Sequence, residues 1–298
     1  MNKKNNFFLA SELTKKEAEK KFAKYHILPI PLEKTVSYGK GTRKGPKAIL
    51  KASNELERNS NEYEPCKKGI YTHPAINCDL PMKKVLDNIE KLSFEISKNN
   101  KIPIAIGGEH TLSYGVINGI KKAQGLDATE IGIIQLDAHA DLRKKYMNQK
   151  YSHACVMYLL ASQKYKILQI GVRAISHNEI LERSNFKIFF IDNSLLTKEK
   201  WNQISLPIKF PKNIYISFDV DVLDPSIIPA TGTPVPKGIN YEDAINIISK
   251  LTKNQNILGL DFVEFSPIKT IKAYDFISAN LIYDLIGVIE SNSNTRCL

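Results

Sequence analysis

Short apolar runs alternate with longer stretches of helical spacing along most of this 298-residue chain. Residues 1–12 read as a mobile lead-in, after which Thr14 and Glu17 stand at capping-box spacing and predict a short basic helix reaching about Tyr25. A strand is expected over 26–31, then a Gly-rich loop over 37–46 and an amphipathic helix over 47–56. Apolar positions Val85, Leu86, Ile89, Leu92, Phe94 and Ile96 fall close to helical spacing and predict a second helix over 82–98. Further strands are expected over 102–106, 131–136, 167–172, 187–191, 214–218 and 257–265. Helices are expected over 154–161, 241–253 and 274–289, another after Thr111, and a loop with helix over 173–182. Residues 223–238 hold Pro225, Pro229, Pro234 and Pro236, a rigid irregular stretch of the kind that borders a functional site. No repeat, linker or low-complexity segment interrupts the alternation. It predicts one α/β domain over 1–298 with a mainly parallel sheet, whose ligands gather at the carboxyl ends of the strands.

Composition changes this picture little. Hydrophobic residues make up 43% and charged residues 24%, enough apolar surface for a large core. Lys and Arg outnumber Asp and Glu by 42 to 31, a net charge of +11 that raises nucleic acid or anionic membrane as partners. The lysines are scattered in short doublets with no interleaved aromatics, so neither partner is expected and the charge reads as a solvated basic surface. Cys66, Cys78, Cys155 and Cys297 form no C-x-x-C pair and suit a reduced compartment. The apolar patch at 7–10 is too short for a signal core or a membrane span, which points to the cytoplasm.

Candidate chemistry collects at predicted strand ends. Asp137, His139 and Asp141 alternate directly after the apolar run 131–136, so in an extended backbone they share one face, neighbours about 6.5 to 7 Å apart. Taken alone, this is either a set of metal ligands or a polar strand end with a capping aspartate. A second pair, Asp219 and Asp221, ends the strand over 214–218, and His110 follows two glycines after the strand over 102–106. Four carboxylates and two imidazoles in one place need cations to neutralise them. Two divalent ions would do so, and a carboxylate-rich set with imidazole suits Mn²⁺ better than the thiolate sets of structural zinc. Paired ions lower the pKa of a shared water, which predicts metal-assisted hydrolysis.

Five stretches carry a family resemblance: Gly-Gly-Glu-His at 107–110, Asp-Ala-His-Ala-Asp at 137–141, Ser-Phe-Asp-Val-Asp-Val-Leu-Asp-Pro at 217–225, Pro-Ala-Thr-Gly-Thr-Pro at 229–234 and Gly-Leu-Asp-Phe-Val-Glu at 259–264. In this order they resemble the ureohydrolases, the family of arginase, agmatinase and formimidoylglutamase. The resemblance implies a three-layer α/β/α, arginase-like fold and two Mn²⁺ ions per subunit. One ion would be held by His110, Asp137, Asp141 and Asp219, the other by Asp137, His139, Asp219 and Asp221. It further implies that Glu264 pairs with a guanidinium, that Asp141 also orients the nucleophile, that His153 transfers a proton and contacts substrate, and that the chain forms a trimer or hexamer. Arginases carry acidic residues where this chain has Arg173-Ala174-Ile175-Ser176, whereas 150–157 resembles the agmatinase branch. The expected substrate is therefore a small cationic guanidine, agmatine first, giving putrescine and urea. Tyr158 and Leu159 replace arginines common in that branch, which keeps guanidinobutyrate and N1-aminopropylagmatine open. Arginine, a formimidoyl substrate and a non-catalytic nucleic-acid-binding protein on the same fold are the remaining alternatives.

Overall fold

In the computed structural model, which describes residues 7–60, 63–193 and 203–294, eight strands form one sheet in which every pairing is parallel. The strands are β1 (Tyr25–Ile30), β2 (Ile70–Thr72), β3 (Ile102–Gly107), β4 (Ile131–Leu136), β5 (Lys166–Ile170), β6 (Phe189–Ile191), β7 (Asn213–Asp219) and β8 (Asn256–Val263). Their spatial order is β2-β1-β3-β8-β7-β4-β5-β6. The helices are α1 (Gly45–Ala52), α2 (Met82–Lys98), α3 (Leu112–Gln124), α4 (Val156–Ser162), α5 (His177–Phe186), α6 (Tyr241–Thr252) and α7 (Ala273–Asn294).

The central strands are near-continuous apolar runs because helices cover both faces. Alternate residues of β4 go to opposite sides. Ile134 and Leu136 join a core with Ile49 of α1, Ile248 of α6 and Ile286 of α7. Ile131 and Ile133 meet Ile89 of α2, Val116 of α3 and Leu160 of α4. The expected α/β/α layering follows from this division.

The order brings β3, β8, β7 and β4 side by side, and pairs Ile106 with Phe262, Asp219 with Val263, and Leu136 with Phe218. Four strands so registered end together at one rim. At the end of β3 the chain presses onto the segment leaving β1: the N–H groups of Gly108 and Glu109 donate to the carbonyls of Ile30 at 2.9 Å and Leu32 at 2.7 Å. A Cβ on Gly108 would lie 1.9 Å from the Leu32 oxygen, so only glycine allows the approach.

Three expectations need correction. Residues 7–12 belong to the fold, since Phe8 and Leu9 are fully buried and their N–H groups donate to Thr72 Oγ1 at 2.9 Å and Ser53 Oγ at 3.0 Å. The Thr14–Glu17 capping bonds form, at 2.8 and 3.3 Å, yet residues 14–22 make turns rather than a helix. There the Glu17 carboxylate pairs with Arg58 at 2.8 Å, and this long-range contact outweighs local propensity. The edge strand β2 was not anticipated, being three residues long and lacking periodicity. Cys66, Cys78 and Cys155 are buried free thiols, and Cys297 lies outside the described residues. Among the described residues no helix is long and apolar enough to cross a membrane.

Candidate metal centre

The rim of β3, β7 and β4 assembles all six predicted ligands. His110 follows the glycine turn and is fully buried, its Nδ1 lying 2.9 Å from Asp141, 3.3 Å from Asp137 and 3.6 Å from Asp219. His139 Nδ1 lies 2.9 Å from Asp221 and 3.7 Å from Asp137. Two compact groups result, His110 with Asp137 and Asp219, and Asp137 with His139 and Asp221. Asp137 is common to both, while Asp219 falls in the first alone.

Backbone hydrogen bonds aim these side chains. Asp137 Oδ1 accepts from the N–H of His139 at 2.6 Å, Asp219 Oδ1 from that of Asp221 at 2.9 Å, and Asp221 Oδ1 from that of Ala138 at 3.0 Å. Asp141 adopts a left-handed backbone, φ 52°, and its carbonyl accepts from the N–H groups of Met157 and Tyr158 as α4 begins.

Whether cations fit here is decided by hydrogen-bond directions. Ser217 Oγ donates to Asp261 Oδ1 at 2.9 Å, whose other oxygen takes the Tyr215 hydroxyl at 2.7 Å. With its one proton committed, Ser217 accepts from His110 Nε2 at 2.8 Å. The Nδ1 lone pair is then turned toward three carboxylates, and Nδ1 has no hydrogen-bond partner. Lone pairs facing one another in a dry site repel unless a cation or a proton stands between them.

Charge balance leads to the same conclusion. Burial, reinforced by Asp137, raises the Asp141 carboxyl to about 7, and burial with Asp221 and Asp137 holds Asp219 far above the usual carboxylate range. Burial would lower His139, but Asp221 and Asp137 overcome it and push the imidazole up to about 12. Without metal the cluster must hoard protons, and divalent ions remove that need. The donors are all imidazole nitrogen and carboxylate oxygen, a set suited to Mn²⁺ and similar ions.

A cavity of about 400 Å³ opens over the cluster, reached by His139, Asp141, Asp219, Asp221, His153 and Glu264. Glu264, at φ 62°, is fixed by its own N–H donating to the Gly108 carbonyl at 2.9 Å and by its Oε1 accepting from the His110 N–H at 2.7 Å. His153 Nδ1 lies 3.2 Å from Thr35 Oγ1. The Thr35 hydroxyl donates to Glu109 Oε1 at 3.1 Å, so Nδ1 carries the imidazole proton and Nε2 is the basic nitrogen. Burial lowers this imidazole to about 4, with His110 and His139 adding to the effect.

Several residues of the site were given no role in the sequence, some of them inside the quoted motifs. Val36 to Gly39, Arg143, Tyr146 and Glu179 line the cavity, and Glu109 holds the 34–35 backbone through two N–H donors at 2.7 Å. Ser217 had a usable signal, since it is polar, lies in an apolar strand and stands two residues before a ligand on the same face. The irregular 223–238 segment borders the cavity through Gly232, and Ala174, Ile175 and Ser176 line it as well. Tyr158 and Leu159 do not. Tyr158 packs edge-on against Phe186 and Leu159 is buried, so their replacement of arginines says little about substrate.

Comparison with known proteins follows the same lines. The Arginase family model matches residues 23–287. The chain is 31% identical to N(1)-aminopropylagmatine ureohydrolase of Synechocystis, covering 94% of this chain and 92% of that one. It is 28% identical to agmatinase of Pyrococcus horikoshii, covering 90% and 93%. The crystal structure of agmatine ureohydrolase from Thermoplasma volcanium superposes with a TM-score of 0.80 at 27% identity, covering 97% and 96%. Parallel sheet, His/Asp groups able to hold metal, matched family model and relatives agree: the chain belongs to the arginase family, a metal-dependent one, and is a ureohydrolase.

Proposed function

We propose that this enzyme holds two Mn²⁺ ions and cleaves agmatine to putrescine and urea. The observation that carries this reading is the pair of His/Asp groups sharing the buried Asp137, whose members His139, Asp219 and Asp221 line a cavity that Glu264 and His153 also reach. One ion is assigned to His110, Asp137, Asp141 and Asp219, the other to Asp137, His139, Asp219 and Asp221. Bound there, the ions supply Lewis-acid activation of water at neutral pH. Glu264, with Oε1 held by the His110 N–H, offers Oε2 to a guanidinium N–H and fixes the plane of the group. Asp141 orients the attacking water. His153, its Nδ1 proton turned to Thr35, uses Nε2 to take a proton only in passing and hand it to the departing amine, since burial disfavours the charged imidazole and drives the second transfer.

The cavity wall speaks to the remainder of the substrate. Ala174, Ile175 and Ser176 supply no carboxylate of their own to read an α-amino group, which disfavours arginine. Glu179, also on the wall, lends negative charge toward a cationic tail from a buried position, its oxygens accepting from the Leu142 N–H and from the Ser176 N–H and hydroxyl, with Arg143 3.8 Å away. N1-aminopropylagmatine is the second reading, favoured by relatives that bear that activity in their names, including one from Thermus thermophilus at 29% identity.

The test is urea release by the Mn²⁺-loaded enzyme from agmatine, N1-aminopropylagmatine, guanidinobutyrate, arginine and formimidoylglutamate. Agmatine or its aminopropyl derivative should exceed the others in kcat/KM by at least about tenfold, about 1.4 kcal/mol of transition-state discrimination. Preference for arginine would overturn the argument from Ala174 and Ser176.

A further inference from the structure

Beneath the Asp137–Asp141 loop runs a chain of buried polar side chains that leads away from the cavity to the edge of the sheet. Arg183 of α5 pairs bidentately with Asp192, its Nη1 and Nη2 donating at 3.0 and 2.9 Å, and it covers the Phe190 ring at 4.4 Å. Its Nε donates to Gln169 Oε1 at 2.8 Å. Gln169 Nε2 donates to Gln135 Oε1 and to the Ala140 carbonyl, both at 2.7 Å. Gln135 Nε2 donates to Asp137 Oδ2 at 2.7 Å and to the His139 carbonyl at 3.3 Å. The sheet register produces this arrangement, because Gln135 pairs with Gln169, and Gln169 with Phe190. Both glutamines are fully buried and Arg183 is nearly so.

The chain has a direction. A guanidinium only donates, so Gln169 must turn its oxygen to Arg183 and its NH₂ to Gln135. Gln135 must then turn its oxygen to Gln169 and its NH₂ to Asp137. An amide is nearly symmetric in shape, and either glutamine alone could be reversed; Arg183 removes that freedom for both. A reversed Gln135 would set an amide oxygen against Asp137 Oδ2 at hydrogen-bond distance and release the His139 carbonyl.

We propose that Gln135, Gln169 and Arg183 are positioning residues of the metal centre, a one-way relay that holds Asp137 and the 139–140 backbone in their ligating arrangement. The proposal rests on the two-ion reading above and explains why polar residues interrupt β4 and β5. The decisive variant is Gln169→Glu. It keeps the acceptor for Arg183, adds an ion pair, and can donate neither to Gln135, which must then reverse, nor to the Ala140 carbonyl. Arg183→Lys is the conservative control, since lysine also only donates. Arg183→Leu, which frees both amides to reverse, serves in place of Gln169→Glu should that variant fail to fold.

Mn²⁺ dissociation constants are read by calorimetry, alongside melting temperatures of the metal-free proteins. Gln169→Glu should weaken Mn²⁺ binding about 10- to 100-fold while its metal-free form, though melting lower, remains folded at the assay temperature, and Arg183→Lys should bind within about threefold of the parent. Binding by Gln169→Glu within threefold of the parent, or equal weakening in Arg183→Lys, would overturn the relay alone. A parent that bound no Mn²⁺ would overturn the two-ion reading and the relay with it.

Discussion

Two buried histidines far from the cavity set a stability limit at acid pH. His26 Nδ1 and His73 Nε2 are 2.8 Å apart and nearly inaccessible. Burial lowers both imidazoles to about 4 from an ordinary 6.5; His73 adds to the effect on His26, and Lys20 to that on His73. Between those values the unfolded chain takes up protons that the folded chain refuses. Stability from this pair is therefore complete above about pH 6.5 and is lost as pH falls toward 4. Equilibrium unfolding in urea at pH 7 and pH 5 should show a larger loss for the parent than for His73→Gln, by about 1 to 3 kcal/mol. Equal losses would show that the imidazoles gain protons without opposing the fold. At this scale the sequence was legible where spacing carries chemistry. Asp137, His139 and Asp141 alternate, and so do Asp219 and Asp221, which marked them as partners; they converge past the strand ends and not on an extended face, Asp141 in a left-handed backbone and Asp221 in a 3-10 turn over 220–222. His26, His73, Thr35 and Glu109 were not legible, because their roles depend on which distant residue each one meets.

Among the elements, the exit of β3 matters most to the site. Gly108 brings its backbone against Leu32, places His110 over the cluster and offers its carbonyl to Glu264. Gly108→Ala should cost about 2 to 4 kcal/mol, since a methyl group at 1.9 Å from a backbone oxygen must push two strand exits apart. Chemical denaturation measures that cost, and Mn²⁺ calorimetry should show weakened binding in the same variant. A well-folded variant with parental binding would mean that the rim tolerates a wider turn. The glycine pair was visible in the sequence as a sharp turn, although its contact with the segment after β1 was not. Helix α2 matched its expected span because seventeen residues at helical spacing leave little ambiguity. The 14–22 segment did not, because Glu17, besides its capping bond, is drawn into a long-range pair with Arg58.

On the scale of the whole molecule, the sheet order is the step that no local pattern supplies. His110, Asp137 and Asp219 are separated by up to about a hundred residues of sequence, yet β3, β8, β7 and β4 are neighbours and end at one rim. Alternating strands and helices predicted a parallel sheet with ligands at its carboxyl edge; the order that makes one cluster of them came from packing. The family resemblance supplied it in advance, through motifs in fixed sequence. That cluster concentrates four carboxylates in a buried site, so the folded chain should bind divalent ions far better than the unfolded chain and be stabilised by them. The most direct measurement is urea release from agmatine as Mn²⁺ is titrated into metal-stripped enzyme at micromolar concentration, with bound metal counted at each point. Release should be absent from the stripped enzyme and reach its plateau at two equivalents per chain. Full release at zero or one equivalent, or none with two ions bound to either agmatine or its aminopropyl derivative as substrate, would contradict the account.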